Sequence, residues 1–89
     1  MLKLKALLSK ILTALPKDYG GTVKNLNILL DTGVGYTNGA TGQPPNVSNG
    51  TILVFKNTGL TTQIYIPYSQ SAIYARVYIG GTWQTWKQL

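Results

Sequence analysis

The run Tyr74-Ala-Arg-Val-Tyr-Ile-Gly-Gly-Thr-Trp-Gln-Thr-Trp-Lys87 constrains the fold of this chain more than any other stretch. It alternates side chains, turns on two glycines and ends in a Trp-x-x-Trp spacing close to Leu89. Alternation of this kind belongs to a strand whose two faces meet different surroundings. A Gly-Gly pair between two such runs marks a hairpin. Concentrating the heaviest side chains here predicts that a small β fold closes on these strands.

Upstream, the same signals repeat. Thr51–Lys56 alternates as a strand with Ile52 and Val54 opposite Leu53 and Phe55, and Asn57-Thr-Gly59 turns it into Thr61–Pro67. A second turn at Tyr68–Ser71 leads to Ala72–Ile79, and Gly80-Gly81 leads to a last strand, Thr82–Gln88. Gly33-Val-Gly-Tyr36 starts a strand, Asn25–Leu30 reads as a short strand or a helical turn, and Thr37–Gly50 reads as a Gly/Pro-rich loop. Three successive hairpin connections predict a mainly β fold. It is a small antiparallel β meander, sandwich-like in form, over residues 22–89.

Residues 1–16 are different. Leu4, Leu7, Leu8, Ile11, Ala14 and Leu15 recur at three- and four-residue spacing, with Lys3, Lys5, Ser9, Lys10 and Thr13 between them. The spacing predicts an amphipathic helix over 2–15, ended by Pro16. Residues 17–21 read as a linker. A helix this short is marginal in water unless its apolar face finds a surface. Three surfaces compete: its own β domain, a short oligomer bundle built on Leu4, Leu7, Leu8, Ile11 and Leu15, and a membrane surface to which it would anchor. Lys5 and Lys10 interrupt the apolar run, so it does not read as a signal peptide.

Composition narrows function mainly by exclusion. A chain of 89 residues buries only about 64% of its unfolded surface, so association with other chains is an expected source of stability. It has no cysteine and no histidine, and its only acids are Asp18 and Asp31. No catalytic residue, metal site or cofactor is expected, because the usual bases, nucleophile activators and ligands are missing. Asp31 reads as a turn residue before Gly33. The formal charge of +6 comes from eight basic and two acidic residues, and half of the basic ones are Lys3, Lys5, Lys10 and Lys17, without the single folded patch of a nucleic-acid binder. No nucleic acid is expected as a partner. The rest of the chain is polar but nearly uncharged, as suits a β protein working outside the cell.

Aromatic residues are where binding can sit. On Tyr74–Ile79, Tyr74, Arg76 and Tyr78 share one face, while Ala75, Val77 and Ile79 share the other and read as the core face. The first set admits two readings. Arg76 stacks on Tyr78 or a tryptophan as a cation–π rung within the sheet, or the face is a sugar-binding surface of stacked rings and a guanidinium donor. Trp83 and Trp86, three apart on one regular strand, point to opposite faces, with Trp86 expected inside and Trp83 more accessible. Tyr65, Tyr68, Tyr74, Arg76, Tyr78 and Trp83 are the candidate ligand contacts.

The strings Asn25-Leu-Asn-Ile-Leu-Leu-Asp-Thr-Gly33, Gly35-Tyr36, Asn38-Gly-Ala40 and Pro44-Pro45 are followed by Gly50-Thr-Ile-Leu-Val54, Thr62-Gln-Ile-Tyr65, Tyr74-Ala-Arg76 and Trp83-x-x-Trp86-Lys87. In that order, they resemble the knob domain of bacteriophage tail fibres and pyocins. The resemblance implies a virion structural protein, extracellular after release, commonly a homotrimer joined to other virion proteins of tail or capsid. It also implies a knob placed to meet cell-surface carbohydrate, although such knobs also serve as spacers and clamps. A chain of one helix and one knob fits a short tail fibre, a head fibre or a capsid decoration protein.

Overall fold

The computed structural model describes residues 18–89. The helix read over 2–15 lies outside them. The described residues are mainly β, with seven strands in one sheet and a single 3-10 turn at Leu26–Ile28. The strands are β1 (Asp18–Asn25), β2 (Gly33–Thr41), β3 (Asn49–Asn57), β4 (Leu60–Pro67), β5 (Tyr74–Ile79), β6 (Thr82–Trp83) and β7 (Lys87–Gln88). From β2 to β6 every neighbour in sequence is an antiparallel neighbour in space. That is the expected meander. β1 departs from it and lies parallel to β2 at the sheet edge, because the 3-10 turn and residues 29–32 carry the chain back before β2 begins.

Three local readings change. β1 takes in Asp18–Gly21, read above as linker; its irregular register against β2 and its two left-handed glycines disguise it as a loop. β2 and β3 extend well into Thr37–Gly50, leaving 42–48 outside the strands. The last strand is broken: β6 ends at Trp83 and β7 starts at Lys87. A regular strand would send Trp83 and Trp86 to opposite faces, but the break frees both indoles to turn to the same side.

The core lies on one face of the sheet. Ile52 and Val54 from β3 and Tyr65 from β4 meet Val23, Leu26 and Leu29, with Tyr19, Ala40, Val47, Tyr74 and Trp86 packed around them. The 3-10 turn fits over the sheet because Asn25 caps it, its side chain accepting from Asn27 N at 2.9 Å. This arrangement overturns the face assigned to β5. Arg76 is 7% exposed and points to the core side, whereas Ala75 and Val77 are half-buried on the other side and Ile79 is 46% exposed. Register decides it. Arg76 pairs with Gln63, and Gln63 with Val54, so all three share the core-facing side.

Candidate functional site

Arg76 is buried with its charge because polar and aromatic groups close round it. Its Nε donates to Gln63 Oε1 at 3.0 Å and its Nη2 to Asn27 Oδ1 at 2.9 Å. Its guanidinium also lies over two indoles, 4.1 Å from the Trp83 ring centre and 4.5 Å from that of Trp86. A planar cation over two indoles is attracted by both ring faces. Burial works against the charge and draws Arg76 down from its ordinary value to about 10, so the guanidinium still carries its proton at neutral pH.

The partners are themselves fixed. Gln63 Nε2 donates to the carbonyls of Leu26 (2.7 Å) and Leu29 (3.1 Å), which orients its Oε1 toward the arginine. Trp83 Nε1 donates to Asn27 O at 3.0 Å, and Trp86 Nε1 to Gly42 O at 2.8 Å. Gly42 sits at φ +88, and a Cβ there would stand 2.5 Å from Asn27 Oδ1. Only glycine gives the backbone this conformation and this approach together. Tyr65 packs edge-on to Trp86 at 6.2 Å, and its hydroxyl shares a 2.7 Å hydrogen bond with Thr37 Oγ1. Burial pushes the Tyr65 phenol above its ordinary 10.0, against the lowering effect of that hydrogen bond. Among the described residues, no buried side-chain polar atom lacks a partner.

The six candidate contacts therefore separate. Arg76 and Tyr65 face inward, Tyr65 at 0% exposure, and neither offers a surface to a ligand. The cation–π reading of Arg76 describes the geometry, with both tryptophans as its partners. Trp86 is the inner indole as expected, packed against the core, and Trp83 is half-buried against Tyr78 at 5.0 Å. Tyr74 is half-buried, with its hydroxyl donating to Gln70 Oε1 at 3.3 Å. Tyr68 is 61% exposed beside Tyr36, at 5.7 Å between ring centres, and its hydroxyl accepts from Thr51 Oγ1 at 3.3 Å.

Of the five aromatic candidates, Tyr78 lines a hollow; Arg76 borders a different one, with Ala75, Val77, Gln84, Thr85, Lys87 and Leu89 and no aromatic ring. Together with Leu60, Lys56, Asn57 and the Gly80-Gly81 turn, Tyr78 borders about 260 Å³ open to solvent, floored by Leu30 and Thr61. Thr61 Oγ1 donates to Leu30 O at 3.0 Å, which closes that floor. Lys56 stands at the rim, 3.6 Å from Asp31. An aromatic ring with ammonium and amide groups around a small open hollow is chemistry suited to one sugar ring. Its volume lies just under the roughly 300–1,000 Å³ of small-molecule sites. Sequence reasoning passed over Asn57, Lys56 and the clasp residues Asn27, Gly42 and Gln63. For Gln63 the signal was present, since it alternates with Thr61 and Tyr65 on one strand face.

Compared with family models, with curated proteins and with solved structures, the chain matches none.

Proposed function

We propose that this chain is a virion structural protein, the knob of a short fibre or tail fibre, and that it adheres to host cell-surface glycan through the hollow beside Tyr78. One observation carries the adhesive part. Tyr78 is the candidate aromatic that borders an open hollow in company with charged and amide side chains, Lys56 and Asn57. The fibre part rests on the resemblance of the motif strings and on a compact β domain with a largely uncharged surface. The knob works as a homotrimer joined to other virion proteins, whether of tail or capsid.

Adhesion is tested by the binding of the full chain to host cells and to their isolated polysaccharide, alongside Lys56→Ala/Asn57→Ala and Tyr78→Ala variants. The parent binds and the variants lose at least tenfold in affinity. Parent-like binding by folded variants would remove the hollow from the reading.

A purely structural role, as a head fibre or capsid decoration protein, is the second reading, and the inward turn of Arg76 and Tyr65 favours it. It takes over if the folded parent binds neither cells nor polysaccharide.

A further inference from the structure

The face of the sheet turned away from the core is itself apolar. Register places Val34, Leu53, Ile64 and Ala75 in one row across β2 to β5. Beside it run Phe55, Thr62 and Val77, then Leu60 and Ile79, and on the other flank Tyr36, Thr51 and Ile66. Within β2 to β5 no position of these rows carries a charge, and the central row is flanked by Asp18 of β1 and Lys87 of β7. None of these side chains belongs to the core cluster or packs against it, and Ile66 and Ile79 are 37% and 46% exposed. An antiparallel sheet with one wet face shows polar residues there. This face is instead built to be covered.

We infer that residues 2–15 of the same chain are its cover. The chain leaves the described residues at Asp18, which pairs with Val34, the first member of the central apolar row. Only Pro16 and Lys17 separate Asp18 from Leu15, so this apolar segment is held beside the face at high effective concentration. Length agrees as well. Four strands at about 4.8 Å span about 19 Å, and the rows extend about 20 Å along the strands. A helix of fourteen residues is about 21 Å long and about 10 Å across, so it matches the patch in length and covers about half of its width. The patch, about 400 Å² by the same dimensions, is half of the roughly 800 Å² that a stable contact between two proteins takes from each partner. That shortfall favours a tethered helix over a second copy. Leu4, Leu7, Leu8, Ile11 and Leu15 supply the apolar side, and Lys3, Lys5 and Lys10 remain toward water. This cover concerns the face away from the Tyr78 ring, with Leu60 at the margin of both, and holds whether or not the knob adheres to glycan.

The test is an isotope-filtered NMR experiment on the full chain, with labelled and unlabelled protein mixed. Expected are methyl contacts from Leu7, Leu8 and Ile11 to Leu53, Phe55, Ile64 and Val77 within one molecule, and their loss in a Leu7→Asp/Ile11→Asp variant with several-fold higher binding of an apolar dye. Contacts only between differently labelled copies would assign the face to a second chain and overturn the inference. So would the absence of such contacts in water, including the case in which residues 2–15 become ordered only on anionic vesicles.

Discussion

Arg76→Ala is the perturbation on which the architecture bears most heavily. Removing the guanidinium strips Gln63 Oε1, inside a fully buried side chain, of its donor, and strips Asn27 Oδ1 of another. An orphaned buried acceptor costs about 1–3 kcal/mol. The two ring contacts, at 4.1 and 4.5 Å, are worth about 1–2 kcal/mol together in a partly desolvated setting. Release of a charge that burial had drawn down to about 10 offsets part of this loss. The net is a destabilisation of about 3 kcal/mol, a large share of the roughly 4–13 kcal/mol expected for 89 residues. With a urea slope of about 1 kcal/mol/M, the midpoint falls by about 3 M. Circular dichroism is the proper probe, because both tryptophans touch the altered site and their fluorescence would shift without unfolding. Arg76→Lys keeps the charge but lacks the flat fork that reaches two acceptors, and so falls between parent and Ala. A midpoint for Arg76→Ala within about 0.5 M of the parent would refute the reasoning, since the clasp would then be ornament on a sheet stable without it.

Further outcomes follow from the same geometry. Gly42→Ala strains a left-handed residue and drives its Cβ into Asn27 Oδ1, so it costs about 1–3 kcal/mol by urea unfolding. Tyr65→Phe leaves the buried Thr37 hydroxyl without its partner and costs about 1–3 kcal/mol at neutral pH. It also alters the alkaline limb. The folded chain holds the Tyr65 proton more tightly than the unfolded chain, whose phenol titrates at 10.0, so Tyr65 contributes a stability that falls as pH rises above that value. Unfolding curves from about pH 9 to about pH 11 should therefore decline more steeply in the parent than in the variant. Lys56→Ala removes an exposed ion pair at 3.6 Å and shifts stability by less than about 0.5 kcal/mol, measured in the same urea assay.

Strand-forming stretches were legible because alternation and turn chemistry are local. Thr58-Gly59 and Gly80-Gly81 connect the strands where the turn residues stand, and β3 presents Ile52 and Val54 to the core as a pair. What stayed hidden depends on distant partners. Arg76 reads as the polar side of its strand until Gln63, Asn27 and two indoles, up to 49 residues away in sequence, are brought to it. Ala75, Val77 and Ile79 read as core for the same reason, since alternation separates two faces without saying which is covered. The period-2 rule failed at Trp83 and Trp86 because it presumes an unbroken strand, and Gln84–Trp86 leaves the sheet. The candidate site was partly visible: Tyr78 was named from its face, whereas Lys56 and Asn57 reach the hollow from a neighbouring hairpin.

The most direct measurement is the resonance of the Arg76 Nε–H group in the ¹H–¹⁵N spectrum of the folded chain at neutral pH. A guanidinium held over Trp83 and Trp86 and bonded to Gln63 Oε1 gives a proton shifted upfield by the two ring currents and slow to exchange with water. A resonance at the position of a free arginine, exchanging as fast as solvent-exposed groups, would contradict the clasp and return Arg76 to the surface.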